Sequence, residues 1–328
     1  EEITVSGNAV YDNDLGIRLD GSEGCTVHEN VVRKNRGGAV SLRNSSRINV
    51  SANHIEENEG TGIHLEDSGN NNVSENVVAK NGGGIVLDQS SRNSLTANSA
   101  TDNEGGLRLR GSGGNELRSN RLAGNGCNFA VEGQNLSDLR NYIDSSNLVE
   151  EKAIVYLVDA SSEVVDSTSN AGAVYCVNCT NITIRDLRLE GAGDGISLFN
   201  TTRSRVVNNT LTGHEKGILL NKSGENAIFA NNASGNGYGI YLSGTHNNVI
   251  EKNNIGGKNE YGIYISGSEK NRLEYNDMRD NRYNFYAVGD NDIDPSNLVN
   301  GKPVAYLVDV SDEIVDSSSG AGVVYCYR

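Results

Sequence analysis

A repeat of about 22 residues runs along the chain and restricts its fold more than any other feature. One asparagine series steps by 22, 23, 23, 22 and 22 residues, at Asn8, Asn30, Asn53, Asn76, Asn98 and Asn120. A second asparagine series and a serine series keep the same period, at Asn13, Asn35, Asn58, Asn81, Asn103 and Asn125 and at Ser22, Ser45, Ser68, Ser90 and Ser112. Self-similarity at this spacing is typical of a solenoid, in which each repeat buries its apolar face only against its neighbours.

The apolar residues of one repeat alternate with polar ones, as at Ile63 and Leu65 or Ile263 and Ile265. This period of two indicates strands, and the Asn and Gly between them indicate several short strands per repeat. Each repeat is therefore predicted to be one coil of a parallel β-helix, with aliphatic stacks inside and amide ladders of turn asparagines along the axis. Asparagine also tolerates the left-handed backbone of a tight corner, so we expect the ladder asparagines to form the corners.

A larger repeat of about 150 residues lies over the shorter one. Residues 141–176 match residues 291–326 without a gap at 23 of 36 positions. We predict one continuous solenoid of two superrepeats, residues 1–176 and 177–328, which close with the apolar blocks 141–176 and 291–326. The end of the chain joined to its start reproduces the junction that follows Cys176, except for a counterpart of Cys179. Either the chain is a segment trimmed from a longer repeat protein, or this match predicts a head-to-tail homopolymer through the terminal coils.

The charge and the sequons indicate the partners and the cellular location to expect. A net charge of −15 and a pI near 4.8 exclude a nucleic-acid partner, because a phosphate backbone would be repelled. No apolar run is long enough for a transmembrane segment. Sequons in this number favour a secreted or cell-surface glycoprotein, although a chain rich in Asn and Ser also forms them by chance. The glycosylation candidates are Asn44, Asn49, Asn72, Asn135, Asn178, Asn181, Asn200, Asn208, Asn221 and Asn232.

The coil pattern N-x-[VI]-x-x-N…G-[IL]-x-L-x-x-S and the block NDIDPSNLVNGKPVAYLVD resemble known sequences. They are similar to PbH1-type repeats of right-handed parallel β-helix proteins, in particular the NosD-like family that is abundant in archaeal surface proteins. The resemblance covers essentially the whole chain and implies a right-handed helix. It leaves the chemistry open, because the family includes sugar-active enzymes, a periplasmic copper-maturation accessory and surface-layer components.

Sugar-binding candidates lie on the outward side of the second superrepeat. Tyr241 is predicted to stack above Tyr264 and Tyr238 above Tyr261, which gives either a platform for sugar rings or simple cross-strand packing. Asp194 is the nearest candidate for a glycosidase acid, but its stacked equivalents carry no carboxylate, and we expect none in the adjacent coils. The acid pairs and His/Arg motifs of β-helix polysaccharide enzymes do not occur in the sequence. The chain is therefore not predicted to be an enzyme.

Metal-binding candidates come from the two apolar blocks and from a cysteine pair. Carboxylates that both blocks share would suit Ca²⁺, or they are duplicated solvent-exposed loop residues; they are Asp159, Glu163, Asp166, Asp309, Glu313 and Asp316. No other cofactor is expected. Cys176 and Cys179 in CVNC have redox or metal spacing, but no second pair or nearby His accompanies them.

These observations favour a secreted structural protein, a rigid β-helix that stacks head to tail into a filament, sheath or surface layer, of archaeal type. The alternative is a carbohydrate-binding or polysaccharide-cleaving module that uses the tyrosines and Asp194. A metal-maturation accessory ranks third, because the five histidines are dispersed.

Overall fold

The computed structural model describes residues 2–327, and it confirms the predicted all-β parallel β-helix with coils of about 22 residues. Cα proximity divides the chain into two compact units, Glu1–Tyr156 (unit 1) and Leu157–Arg328 (unit 2). The predicted division after residue 176 stays a prediction. No helix among residues 2–327 is long and apolar enough to cross a membrane.

Three parallel sheets build unit 1, because each coil contributes one short strand to each sheet. Sheet 1A contains the strands Thr4–Ser6, Thr26–His28, Asn49–Ser51, Asn72–Ser74, Ser94–Thr96, Glu116–Arg118 and Tyr142–Ile143. Sheet 1B contains Ala9–Tyr11, Val31–Arg33, His54–Glu56, Val77–Ala79, Ser99–Thr101, Arg121–Ala123 and Leu148–Val149. Sheet 1C contains Ile17–Asp20, Val40–Arg43, Thr61–Glu66, Gly83–Asp88, Leu107–Arg110 and Phe129–Glu132, and a four-residue helix follows at Leu136–Leu139.

Unit 2 repeats this plan, and its strands also fall into three sheets. Sheet 2A contains the strands Val164–Val165, Thr183–Arg185, Arg205–Val207, Ala227–Phe229, Val249–Glu251, Arg272–Glu274 and Asp292–Ile293. Sheet 2B contains Arg188–Glu190, Thr210–Thr212, Asn232–Ser234, Asn254–Gly256, Asp277–Arg279, Leu298–Val299, Lys302–Val308 and Val323–Tyr327. Sheet 2C contains Ala171–Val177, Asp194–Phe199, Lys216–Asn221, Tyr238–Ser243, Tyr261–Ser266 and Tyr283–Ala287.

The interior of each unit is a set of aliphatic stacks. Val73 pairs in register with Val50 and Leu95, and all three side chains are fully buried. The same relation holds in unit 2, where Ile240 lies between Ile218 and Ile263. Alternation in the sequence therefore places every second strand residue inside, where burial of its apolar surface stabilises the coil.

The predicted asparagine ladders are present, and their amides are buried. Asn76 Nδ2 donates to Asn98 Oδ1 and to the Val50 carbonyl, at 2.9 Å each. Asn76 Oδ1 in turn accepts hydrogen bonds from the backbone N–H and the Nδ2 of Asn53. Each ladder amide thus satisfies its own polar atoms and a backbone group of the neighbouring coil, as buried polar groups require.

The corner conformation differs from the prediction. The left-handed residue is the one before each ladder asparagine: Glu29, Ala52, Glu75, Ala97 and Ser119 have φ between 53° and 57°. Position 75 therefore forms the corner, while Asn76 has its amide turned inward. Asparagine is selected for its hydrogen bonds along the axis and not for its tolerance of the left-handed region.

The two apolar blocks share a local structure that widens the coil. In the first block Leu148 pairs antiparallel with Ala153, and in the second Leu298 pairs antiparallel with Pro303. A tyrosine hydroxyl closes each block by donating to a backbone carbonyl 17 residues earlier, from Tyr156 to Leu139 and from Tyr306 to Gly289. Strands Lys152–Val158 and Lys302–Val308 are the second arms of these hairpins, and the 3₁₀ turns Ser167–Ser169 and Ser317–Ser319 come later in the chain.

Candidate functional site

Two outward columns of sheet 2C bring six tyrosines together. In the first column Asp194 and Lys216 are followed by Tyr238, Tyr261 and Tyr283 in register. The neighbouring column adds Tyr241, Tyr264 and Tyr286. We call these six residues the tyrosine cluster. The predicted pairs are therefore adjacent in space.

Sequence reasoning missed Tyr283 and Tyr286. The segment YNFYA keeps the Tyr-x-x-Tyr spacing of YGIY at Tyr238 and Tyr261, and that spacing is the signal that could have found them. Asn and Phe replace the Gly-Ile pair that marks the other coils, so a search on the coil motif does not find this one.

The rings of the cluster are ordered by contact with one another. Tyr238 and Tyr261 stack with ring centroids 5.0 Å apart and planes 8° from parallel, and Tyr261 and Tyr283 stack at 4.9 Å. In the second column Tyr264 and Tyr286 stack at 4.6 Å, whereas Tyr241 meets Tyr264 edge to face at 5.3 Å. Stacked and edge-to-face arrangements are the favourable ones for aromatic pairs. The cluster is thus a rigid surface before any ligand arrives.

Tyr283 and Tyr286 are the most accessible members of the cluster, at 46% and 37% exposure. The inner rings use their faces to stack on one another, so they present edges and hydroxyl groups outward. Burial raises the pKa of Tyr238 and of Tyr264, so both hydroxyls remain protonated donors at neutral pH. The Arg282 guanidinium lies 5.3 Å from the Tyr283 ring centroid, in cation–π range. The surface combines aromatic area with a row of hydrogen-bonding groups.

The opposite end of the tyrosine columns is an ion pair. Asp194 Oδ1 lies 3.2 Å from Lys216 Nζ, and Ser197 Oγ donates to Asp194 Oδ2 at 3.4 Å. Burial raises the pKa of Asp194, and Lys216 opposes this effect. Burial disfavours the charge of Lys216, but Asp194 and Glu215 together raise its pKa above the ordinary value. The side chain of Asp194 is 6% exposed with both oxygens bonded, so it lies beneath the surface and not in contact with it.

The expectation that the adjacent coil carries no carboxylate near Asp194 is wrong. Glu215 Oε1 lies 2.8 Å from Lys216 Nζ, so Lys216 bridges two carboxylates. Reasoning from stacked positions missed Glu215 because it precedes Lys216 in the chain and lies outside the column. Lys216 therefore neutralises both acids at this end of the tyrosine columns.

His214 replaces an asparagine in a ladder of unit 2. Its backbone N–H donates to Asn236 Oδ1 at 2.9 Å, as a ladder residue does. The ring is buried, and within residues 2–327 its Nε2 has no hydrogen-bond partner. Burial lowers the pKa of His214, so the ring is neutral at pH 7. The side chain faces into the coil and away from the tyrosine cluster.

Cys179 occupies a serine/threonine ladder position. Its backbone N–H donates to Thr201 Oγ1 at 3.3 Å, and its thiol contacts the Val177 carbonyl at 3.4 Å, as the Thr201 hydroxyl contacts Phe199. A hydrogen bond with Cys176 lowers the pKa of Cys179 to about 7 and, with burial, raises the pKa of Cys176. Both side chains are buried. The CVNC spacing is explained by the ladder.

The structure does not assemble the carboxylates predicted to bind Ca²⁺. Asp166 accepts hydrogen bonds from the backbone N–H and hydroxyl of Thr168, and Asp316 does the same with Ser318, so both cap the 3₁₀ turns. Asp159 accepts a hydrogen bond from Asn178. No group of three or more His, Cys, Asp or Glu side chains within residues 2–327 has metal-binding geometry. Binding of Ca²⁺ by Asp159, Glu163, Asp166, Asp309, Glu313 and Asp316 stays a prediction.

All ten sequon asparagines lie at exposed or half-exposed positions, outside the buried ladders. Several pair with one another on the surface, as Asn72 does with Asn49 and Asn200 with Asn178. Their glycosylation stays a prediction.

The solved structures most similar to the chain include several polysaccharide-acting proteins. The A-module of mannuronan C-5 epimerase AlgE4 from Azotobacter vinelandii is 14% identical, with 91% of each chain covered and a TM-score of 0.37. An alginate lyase from Paenibacillus sp. str. FPU-7 is 11% identical, with 90% of this chain and 97% of that chain covered and a TM-score of 0.29. The DFA-IIIase of Arthrobacter chlorophenolicus A6 is 10% identical, with 88% and 82% covered and a TM-score of 0.34.

No curated protein matches the chain in sequence. The profile of one protein family, described as periplasmic copper-binding protein (NosD), matches residues 1–154 and 140–300. These overlapping matches span both units and all coils of the tyrosine cluster, in agreement with the resemblance of the coil motifs. The chain belongs to the NosD family.

Proposed function

We propose that the chain is a carbohydrate-binding β-helix module whose binding surface is the tyrosine cluster of unit 2. The observation that carries this proposal is the concentration of aromatic residues. The chain has no Trp, 4 Phe and 14 Tyr, and six of those tyrosines lie in two adjacent columns of one outward face. Contiguous exposed aromatic surface on a soluble domain marks an interaction site more often than isolated residues do.

The properties of the cluster suit a sugar chain. Tyrosine offers large, rigid contact area at low entropic cost, and ring stacking fixes the cluster further. Tyr286 and Tyr283 provide ring area for the apolar faces of a sugar, while the hydroxyls of the inner rings donate to sugar oxygens. The net charge of −15 opposes a polyanion at low ionic strength, so a neutral polysaccharide is the favoured ligand class.

A glycan array with the full chain and two matched variants tests the proposal. The wild type is expected to bind neutral oligosaccharides, and the double variant Tyr283→Ala/Tyr286→Ala is expected to lose that signal. Tyr142→Ala is the control, because Tyr142 is 76% exposed and lies in unit 1, outside the cluster. Equal signals from the wild type and the double variant on every glycan would contradict the proposal, and so would a wild type that binds none.

The described side chains do not fit the copper ion that the family description names. Within residues 2–327 no three His, Cys, Asp or Glu side chains have metal-binding geometry. The softest pair of donors, Cys176 and Cys179, is buried in a ladder position. We therefore assign no copper to the function. The periplasmic description does support a location outside the cytoplasm, and a cell-surface location stays our expectation.

End-to-end association into a filament, sheath or surface layer stays a second proposal. Electron microscopy tests this idea: rods that lengthen with concentration support it, and rods of constant length contradict it.

A further inference from the structure

Sheet 1C of unit 1 carries a groove on the outward side that corresponds to the tyrosine face of sheet 2C. The groove encloses about 460 Å³, which is within the range of small-molecule sites. Besides Val86, its walls are six polar side chains, Thr61, His64, Asp88, Glu104, Arg108 and Arg110. Donors and acceptors thus converge on one space.

The charged groups of the groove are held by one another. His64 Nε2 lies 2.9 Å from Asp88 Oδ2, and Arg110 lies 3.8 Å from Asp88 and 3.6 Å from Glu132. His64, Asp88 and Arg108 are only 28–30% exposed, so these side chains are fixed in the groove and do not project into solvent. The groups named here are arranged before a ligand binds, which lowers the entropic cost of binding.

Glycines form the floor of the groove, and one of them has no structural reason to be glycine. A Cβ at Gly106 would lie 2.3 Å from the Asn128 carbonyl oxygen, so Gly106 is required by packing. A Cβ at Gly105 would meet nothing within 4 Å, and Gly105 has no positive φ. Glycine costs conformational entropy in such a place. Its presence is explained if the space above Gly105 must stay open.

Unit 2 demonstrates that this position accepts large side chains. Gly105 precedes the inward Leu107 by two residues, and Tyr261 precedes the inward Ile263 by two residues in the same motif. The first coil of unit 1 has Leu15 at this position, and its later coils have the smaller Gly38, Thr61, Gly83, Gly105 and Cys127, whereas unit 2 has Asp194, Lys216, Tyr238, Tyr261 and Tyr283. The fold therefore permits either a groove or a filled ridge at this column.

We propose that this groove, lined by Asp88, Arg110 and the open floor at Gly105, is a second saccharide-binding site, separate from the tyrosine cluster. The wall holds two arginines and two carboxylates, whose formal charges cancel, so it suits a neutral, hydroxyl-rich ligand. Charged donors and acceptors of this kind form strong hydrogen bonds with hydroxyl groups. A second cavity of about 530 Å³ also contacts Arg110, so the two cavities together leave room for more than one sugar unit.

Filling the floor tests the proposal without disturbing the fold. Wild type, Gly105→Leu and Tyr283→Ala/Tyr286→Ala are compared on an array of neutral oligosaccharides, with glucans, mannans, galactans and xylans as probes. For at least one glycan, the signal of Gly105→Leu is expected to be about tenfold or more below that of the wild type. The tyrosine variant is expected to keep the wild-type signal for the same glycan. Asp88→Asn is expected to weaken binding of the same glycan, because it replaces a charged acceptor with a neutral amide of nearly equal size.

Two results would overturn the second site. One is a Gly105→Leu protein that melts like the wild type and binds every glycan as the wild type does. The other is a tyrosine variant that binds none of the glycans that the wild type binds. The tyrosine cluster would then be the binding surface, and the groove would not be a second site. Loss of binding in Gly105→Leu alone would support the groove even if the tyrosine proposal failed.

Discussion

The carboxylate of Asp194 lies 3.2 Å from the ammonium of Lys216 in sheet 2C, and the Asp194 side chain is 6% exposed. Burial nevertheless raises the pKa of Asp194, because Lys216 offsets only part of the lost hydration. A buried ion pair is thus weak support for stability at neutral pH. The direction of this pKa shift determines how Asp194 changes the stability of the protein with pH.

Comparison of the wild type with Asp194→Asn should reveal this shift as a change of stability with pH. A raised folded-state pKa means that the contribution of Asp194 is full below its unfolded value, near 3.9, and is lost as pH rises through the folded value. The stability advantage of the wild type over Asp194→Asn should therefore fall as pH rises above about 4, as measured by thermal melting.

Asp166→Asn is the control of opposite sign for that experiment. Hydrogen bonds from Thr168 lower the pKa of Asp166, so its contribution is present above the unfolded value and is lost as pH falls. The wild-type advantage over Asp166→Asn should grow with pH. An advantage over Asp194→Asn that also grew with pH would mean that Lys216 outweighs burial.

His214→Asn should stabilise unit 2 and remove a pH dependence. The variant restores an amide to the ladder and removes a buried nitrogen that lacks a partner, so a gain of about 1 kcal/mol is expected. The lowered pKa of His214 means that its wild-type contribution is full above about 6.5 and is lost as pH falls. The difference in urea midpoint between variant and wild type should therefore widen from pH 7.5 to pH 5. A constant difference would argue against a neutral buried imidazole.

Asn76→Ala should destabilise unit 1 strongly. It removes four hydrogen bonds and leaves the backbone N–H of Asn53 buried without its acceptor, at a cost of about 3 kcal/mol. Asn72→Ala is the matched control, because Asn72 is exposed and four residues away; it should change stability by less than about 0.5 kcal/mol. Equal effects of the two changes on chemical unfolding would refute the role assigned to the buried ladder.

Gly106→Ala and Gly105→Ala should separate a packing glycine from an open one. A Cβ at Gly106 approaches the Asn128 carbonyl oxygen to 2.3 Å, so overpacking of about 1–3 kcal/mol is expected. Gly105→Ala meets no atom and restricts the unfolded chain, so it should be neutral or stabilising by about 0.5 kcal/mol. A Gly105→Ala variant that melts well below the wild type would show that the fold itself needs glycine there.

The sequence predicted the coils well because their causes are local and repeat. Val73 and Asn76 recur in register every coil, so period and alternation give strand, face and ladder together. It predicted four of the six clustered tyrosines for the same reason. Glu215 was missed because its contact with Lys216 depends on where a flexible side chain reaches, and the groove was missed because glycines leave a space that no residue letter records.

The affinity of the tyrosine cluster for a neutral oligosaccharide selected on the array tests the central claim most directly. Calorimetric titration of the wild type, Tyr283→Ala/Tyr286→Ala and Tyr142→Ala would compare the three proteins with one ligand. We predict that the double variant binds at least about tenfold more weakly, since truncation of an aromatic contact to the ligand costs more than about 1 kcal/mol, while Tyr142→Ala binds like the wild type. Equal Kd values for all three proteins would contradict it.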